Sequence, residues 1–425
     1  MLPDELIASI LVYVPGRDLL RYLKFFKSFR RTIQKYGKLF SIDCVCENIS
    51  DTDLYYFSGV GGPLGYCTLH KINLAYCEIT DGGLGHLKGV SNINLSSCQQ
   101  ITDAGLEYLQ GVHTISLASC KITDVGLSFL QGVHTIDLSK CEQITDAGLA
   151  HLKGVNTIIL TNCRQITDAG LQYLHGVHTI HLSYCYQITD AGLAFLQGVH
   201  TVSLPSCEKI TDVGLSFLQG VHTIDLSHCE RITDAGLDHL KGINTITLAE
   251  CRQITDAGLA HLKGVNTITL TNCWQITDAG LQYLKGVHTI HLSFCKLITD
   301  AGLEYLQGVH TVSLTSCEKI TDIGLSFLQG VHTIDLWNCE RITDAGLAYI
   351  KGVHAADLSY CKLVTDAGLA HLKGVHTVNL LRCELITDRG LEHLQGVHTI
   401  NLNHCHHITD RGVANLGATN VYRYS

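Results

Sequence analysis

From Val133 to Gly154 the chain reads VHTIDLSKCEQITDAGLAHLKG, and the same succession of apolar and polar positions returns every 22 residues to the C-terminus. Val133, Ile136 and Leu138 punctuate the run V-H-T-I-D-L, an alternation that predicts a short strand with one buried face. Cys141 follows at an inward turn, where a small apolar thiol packs without a strong hydrogen-bond partner. Ile144 re-enters the core, and Thr145-Asp146 predicts the N-cap of a short helix. Leu149 and Leu152, three apart, share one face of that helix, and Gly154 ends it where a left-handed residue is least costly. One unit therefore offers about seven inward side chains. At roughly 1.5–3 kcal/mol per fully buried large side chain, a single unit cannot offset the entropy of ordering itself, whereas a stack can. A fixed period of this size is the mark of a solenoid.

Sixteen units hold this register from Leu69 to Ala418. Two are one residue short after their cysteine, Cys77-Glu-Ile79 and Cys120-Lys-Ile122, which implies a tighter turn there. Residues 41–68 read as a degenerate capping repeat and linker: Ile49-Ser50-Asp51 and Leu54 align with the repeat, and Val60-Gly61-Gly62-Pro63 interrupts it. Residues 419–425 read as a capping strand over the last sheet edge, where Arg423 limits further pairing. A longer period, in which VSL, IDL, NTI and IHL units succeed one another more than once, points to segmental duplication.

The spacing L-x-x-V-x-x-I-x-L-x-x-C-x-x-I-T-D resembles the cysteine-containing class of leucine-rich repeats. That resemblance implies an α/β solenoid, a horseshoe with a parallel sheet on the concave face and short helices on the convex face.

Residues 1–40 do not repeat. Leu2-Pro3-Asp4-Glu5 places a proline and acids at a helix start, and Leu6, Ile7, Ile10, Leu11 and Val14 form an apolar stripe. Pro15-Gly16 breaks it, and Asp18-Leu19-Leu20 opens a second helix. Three short helices make a marginal core alone, so a partner or the solenoid is expected to complete it. The order Leu2-Pro3, Glu5-Leu6, Ile10-Leu11, Pro15, Asp18-Leu19-Leu20, Lys27-Ser28-Phe29-Arg30 is similar to an F-box, with Phe29 where relatives carry Trp. The resemblance implies docking on the Skp-type adaptor of a Skp–cullin–F-box ubiquitin ligase through Leu2, Pro3, Leu6, Ile10, Leu11, Pro15, Leu19 and Leu20. The bland alternative is a helical cap on a stand-alone interaction scaffold.

Composition narrows the partners. A formal net charge of −9 argues against a nucleic-acid backbone, and no 18-residue apolar run predicts a membrane span. Nineteen cysteines would suit a disulfide framework, but sixteen of them, Cys77 to Cys405, occupy one inward position per unit, and no C-x-x-C pair occurs. Reduced thiols in a cytoplasmic or nuclear protein are expected, with neither structural zinc nor a cofactor.

The Thr-Asp aspartates recur sixteen times and read as helix caps rather than general bases, and no unique nucleophile–base pairing occurs, so the chain is expected to be non-catalytic. Twelve histidines at the strand start, His70 to His398, form a stripe broken by Ser91, Asn156, Asn244 and Asn266. Free replacement by Asn favours a hydrogen-bonding ladder over metal, and charging it below about pH 6 is expected to loosen the stack. Outward strand positions and the following turns vary most. Trp337, Tyr360 and Arg382, on successive units beside Asp335 and Asp357, carry the composition of a protein-binding hot spot, and Phe294 and Trp274 add aromatics nearby. The expected protein is a monomeric subunit of a hetero-complex that binds a protein target on its sheet.

Overall fold

The computed structural model describes residues 41–43, 49–55 and 69–424, so the expected F-box residues Leu2, Pro3, Leu6, Ile10, Leu11, Pro15, Leu19 and Leu20 lie outside the described residues. The chain divides into two compact units, Met1–Lys209 and Ile210–Ser425. In the first, eight three-residue strands from Ser41–Asp43 to Thr201–Ser203 pair parallel in sequence order. In the second, ten such strands run from Thr223–Asp225 to Asn420–Tyr422 in the same way. Each strand pairs residue for residue with the next repeat, so Ile136 lies against Ile158 and Thr135 against Thr157.

The register follows from the repeat itself, because equal spacing brings every buried residue beside its own counterpart. Within one repeat Val133, Ile136, Leu138, Cys141, Ile144, Leu149 and Leu152 are all buried, the seven positions that the alternation marks as inward. Pairing continues past the strand, with Leu138 N donating to Ile159 O and Lys140 N to Thr161 O, before Cys141 N closes the turn on Leu138 O. The Cys141 thiol is not idle: its Sγ lies 3.1 Å from Leu117 O in the preceding repeat, and the same bond recurs along the ladder, from Cys98 to Leu74 O through to Cys405 to Leu380 O. Burial pushes the Cys141 thiol up to about 12, so it stays protonated and serves as a donor.

The helix of this repeat is one α-turn, Asp146–Leu149, continued by one 3-10 turn, Ala150–Leu152, and most repeats share the pattern. Propensity cannot hold so short a helix, and burial of Leu149 and Leu152 does. Gly154 sits at φ 83°, the left-handed conformation expected of it.

One expectation needs correcting. Thr145 alone caps the helix, its Oγ1 accepting from Ala147 N, while Asp146 reaches out of its own repeat. Asp146 Oδ1 accepts from Thr167 N at 2.8 Å and Oδ2 from Thr167 Oγ1 at 2.6 Å. The same two bonds recur from Asp51–Thr80 to Asp388–Thr409, so the aspartates form a clamp between repeats. The acidic side chain is needed because it accepts twice and donates nothing. Glycine two residues after each Asp has the same cause: a Cβ on Gly170 would lie 2.4 Å from Asp146 Oδ1.

The clamp explains both ends of the described stack. Ahead of the regular repeats, Ser41–Asp43 pairs with Lys71–Asn73, Ile49 and Leu54 are buried, and Asp51 clamps Thr80. After the last helix, Asp410 meets no further Thr; Arg423 Nη1 donates to it at 2.6 Å while Nη2 donates to Ile408 O at 2.7 Å. Arg423 therefore turns back onto the last repeat.

Candidate protein-binding surface

Three positions per repeat decorate the open face of the sheet. The mid-strand residue, such as Asp137, Asp335 or Asp357, is half-buried because its neighbours along the strand are buried core residues. The residue after the core leucine comes next, and the residue before the cysteine follows it. That last position is left-handed in all sixteen regular repeats, from Tyr76 to His404, with φ between 53° and 63° and no glycine among them. The turn must reverse within one residue so that Cys N can reach Leu O, and this strains a non-glycine backbone. Its side chain is thereby thrown outward, which places Phe294, Tyr360 and Arg382 of the second unit in one column, with Tyr184 at the equivalent position of the first. The sequence marks these turn positions as outward and variable but not as left-handed. Only Asn162, Asn272 and Asn338, a residue type tolerant of the left-handed region, hint at that conformation.

In the second compact unit this geometry brings three of the expected residues together. The Trp337 and Tyr360 rings meet edge-on with centroids 5.4 Å apart, and the Arg382 guanidinium lies 5.5 Å from the Tyr360 centroid. The two neighbouring aspartates are committed to the sheet. Asp335 Oδ1 accepts from Trp337 N, and Oδ2 accepts from Ser313 and Thr315 hydroxyls at 2.9 and 2.7 Å. Asp357 accepts from Ser359 N and from Asn379 Nδ2, each at 2.8 Å. They hold the local backbone and leave Arg382 without a carboxylate among the described residues.

Trp274 and Phe294 stand apart from this cluster. Trp274 is 49% exposed, with Arg252 over its ring at 5.1 Å and its Nε1 donating to Asn272 Oδ1. Phe294 is exposed on the left-handed column, and among the described residues it stacks on no other ring.

The histidine stripe stacks ring on ring instead of hydrogen-bonding along its length. In the second unit His288, His310, His332, His354, His376 and His398 form a column with centroids 4.5–4.7 Å apart. In the first, His113–His134 and His178–His200 stack at 4.5 Å, and Asn156 separates the pairs. His288, His310, His332 and His398 turn Nδ1 to the threonine that follows, at 3.0–3.2 Å, whereas His354 is followed by Ala355. Parallel rings send their lone pairs side by side, so no two converge on one metal ion, and no His, Cys, Asp or Glu group suited to a metal occurs among the described residues. His404 and His406 meet edge-on at 6.2 Å and belong to no such group.

Fold and surface together define a leucine-rich-repeat solenoid, an architecture of protein interaction that is typically non-catalytic. A family profile described as Leucine Rich repeat matches residues 67–87, 92–109, 112–130, 221–240, 287–306 and 396–417. No curated protein sequence gives a significant match. Among solved structures, one of a TLR13–ssRNA13 complex is similar with a TM-score of 0.62 at 13% identity, over 88% of this chain and 60% of that one. The chain thus spans less than two thirds of that relative. The mouse RP105/MD-1 complex gives a TM-score of 0.53 at 14% identity, over 83% of this chain and 70% of that one. A yeast Rad7 and Elc1 complex aligns over 98% of this chain and 92% of that one, with a TM-score of 0.43 at 15% identity, too low to add to the argument. At these identities the likeness concerns the fold alone. No helix among the described residues is long and apolar enough to cross a membrane.

Proposed function

We propose that this chain is the substrate-recognition subunit of a Skp–cullin–F-box-type ubiquitin ligase. Residues 1–40 would dock the Skp-type adaptor, and the open sheet face would hold the target protein for ubiquitin transfer by other subunits. The observation that carries the reading is the ordered set Leu2-Pro3, Glu5-Leu6, Ile10-Leu11, Pro15, Asp18-Leu19-Leu20 and Lys27-Ser28-Phe29-Arg30 set ahead of sixteen repeats. The half-buried aromatic pair Trp337 and Tyr360, with Asp335, Asp357 and the exposed Arg382 around it, supports target binding on the sheet, with the exposed Phe294 and Trp274 as outlying contacts. Sixteen buried thiols that a parallel ladder suits to packing fit a reducing compartment, cytoplasm or nucleus.

A pull-down of Skp-type adaptor and cullin with the full chain tests the first half. Wild type should capture both, and the Leu2→Ala/Pro3→Ala/Leu6→Ala variant, still folded by circular dichroism, should capture neither. No capture by folded wild type would reduce residues 1–40 to a cap and the chain to a stand-alone interaction scaffold.

A further inference from the structure

Resting on the reading of the sheet face as a target-binding surface, we infer that the cluster at Trp337, Tyr360 and Arg382 takes a protein segment in which an apolar side chain stands beside a carboxylate, and that Arg382 reads the carboxylate.

The inference starts from charge. In the second unit Arg382 is the one Arg or Lys at the left-handed turn that precedes the ladder cysteine. Arg382 forms no ion pair with a described residue, and Asp335 and Asp357 are saturated by sheet donors. Its guanidinium is nonetheless held in place, over the Tyr360 ring, which meets Trp337 in turn. Stacking on an aromatic face leaves the N–H edge of a guanidinium open, and that edge matches the two oxygens of a carboxylate or phosphate.

The surroundings supply the apolar half. Several repeats carry Gln at the second residue after the ladder cysteine, where Gln165 and Gln253 donate to a carbonyl of the preceding repeat. Leu363 and Leu385 replace it in the two repeats that carry Tyr360 and Arg382, and they stand 48% and 49% exposed. In the row formed by Trp337, Ser359 and Leu381, Ser359 is fully buried and its Oγ has no partner. Its counterparts Ser139 and Ser227 each donate to the mid-strand aspartate. Local hydrogen bonding is thus given up beside a stacked cation that no carboxylate among the described residues neutralises, as at a recognition surface.

The test uses the full chain, biotinylated on a terminal tag, as the target for a random twelve-residue peptide library displayed on phage. Enriched peptides should carry Asp or Glu within a few residues of an apolar side chain. Their affinity should fall about tenfold with Arg382→Gln and by the same factor when the peptide acid becomes its amide, the loss expected of one ion-paired hydrogen-bond set. An Arg382→Glu chain should regain binding when the peptide acid becomes Lys. A synthetic peptide with phosphoserine at the acidic position should bind no more tightly than the Asp peptide, and tighter binding would overturn the assignment to a carboxylate. No enrichment, enriched peptides without an acidic position, or affinity indifferent to Arg382→Gln would each overturn the inference. Adaptor capture is scored on the same preparation, so failure of the ligase reading is seen separately from failure here.

Discussion

The clamp between repeats makes a prediction whose sign, as well as size, is fixed by geometry. Asp256 Oδ1 accepts from Thr277 N at 2.8 Å and Oδ2 from Thr277 Oγ1 at 2.6 Å. A Cβ on Gly280 would lie 2.4 Å from Asp256 Oδ1 and 3.0 Å from its Cγ. Hydrogen bonds to a charged group contribute about 1.5–3 kcal/mol each when buried. Both partners here are half-buried, so Asp256→Ala should cost about 2–3 kcal/mol in all. Gly280→Ala must displace the carboxylate and lose much of the same clamp, about 1–2 kcal/mol net of the helix propensity that alanine adds. With the Asp256 carboxylate removed, the next atom is the Leu259 Cδ1 methyl at 3.0 Å, the end of a flexible side chain that can give way. Gly280→Ala on that background should then be neutral or stabilising, by up to about 1 kcal/mol. The assay is a double-mutant cycle by urea unfolding, read beside amide exchange at Thr277, since repeat arrays can lose cooperativity at one weakened interface. A coupling energy of about 1.5 kcal/mol or more, with Gly280→Ala changing sign, is the expected result. Additive losses would refute the idea that the glycine exists to admit the neighbour's carboxylate.

Other outcomes follow from the same structure. Desolvation within the stack, then the flanking His288 and His332, push the His310 imidazole below its ordinary range, so the folded chain holds that proton less tightly than the unfolded one. Stability should therefore be full above about pH 6.5 and decline as pH falls below it; a urea midpoint unchanged between pH 7.5 and 5.5 would contradict this. Burial pushes the Cys273 thiol up to about 12, and all sixteen ladder cysteines are buried, so iodoacetamide at pH 8 should label at most three of the nineteen cysteines (19 − 16) until urea opens the stack. Arg423→Ala frees Asp410 and the Ile408 carbonyl, and faster amide exchange at Thr419 and Asn420 is expected, with Thr277 unchanged.

Local patterns revealed the architecture because each repeat is a local object. Ile136, Leu138, Leu149 and Leu152 declare strand and helix within twenty residues, and repetition sets the register without further information. The clamp was hidden because a Thr-Asp pair before an apolar run has a complete local explanation as a cap, while the partner of Asp146 lies 21 residues away at Thr167. Its trace was the glycine that follows each Asp by two residues, an expensive choice in a helix that only the neighbour's carboxylate accounts for. The histidine stripe was visible as a column, but whether rings stack or hydrogen-bond depends on side-chain torsions that composition does not encode. At the surface, Trp337, Tyr360 and Arg382 could be picked out by chemistry and unit number. The left-handed turn that aims Tyr360 and Arg382 outward could not, because Ser, Lys, Glu and Tyr occupy that position as readily as Asn.

The central claim is a division of labour, with adaptor docking in residues 1–40 and target binding on the sheet face around Trp337. Calorimetric titration of a purified Skp-type adaptor into three full-length proteins tests it directly: wild type, Leu2→Ala/Pro3→Ala/Leu6→Ala, and Trp337→Ala/Tyr360→Ala. The account predicts one adaptor per chain, binding abolished in the first variant and unchanged in the second. Adaptor binding that survives loss of Leu2, Pro3 and Leu6, or that vanishes with Trp337 and Tyr360, would contradict it.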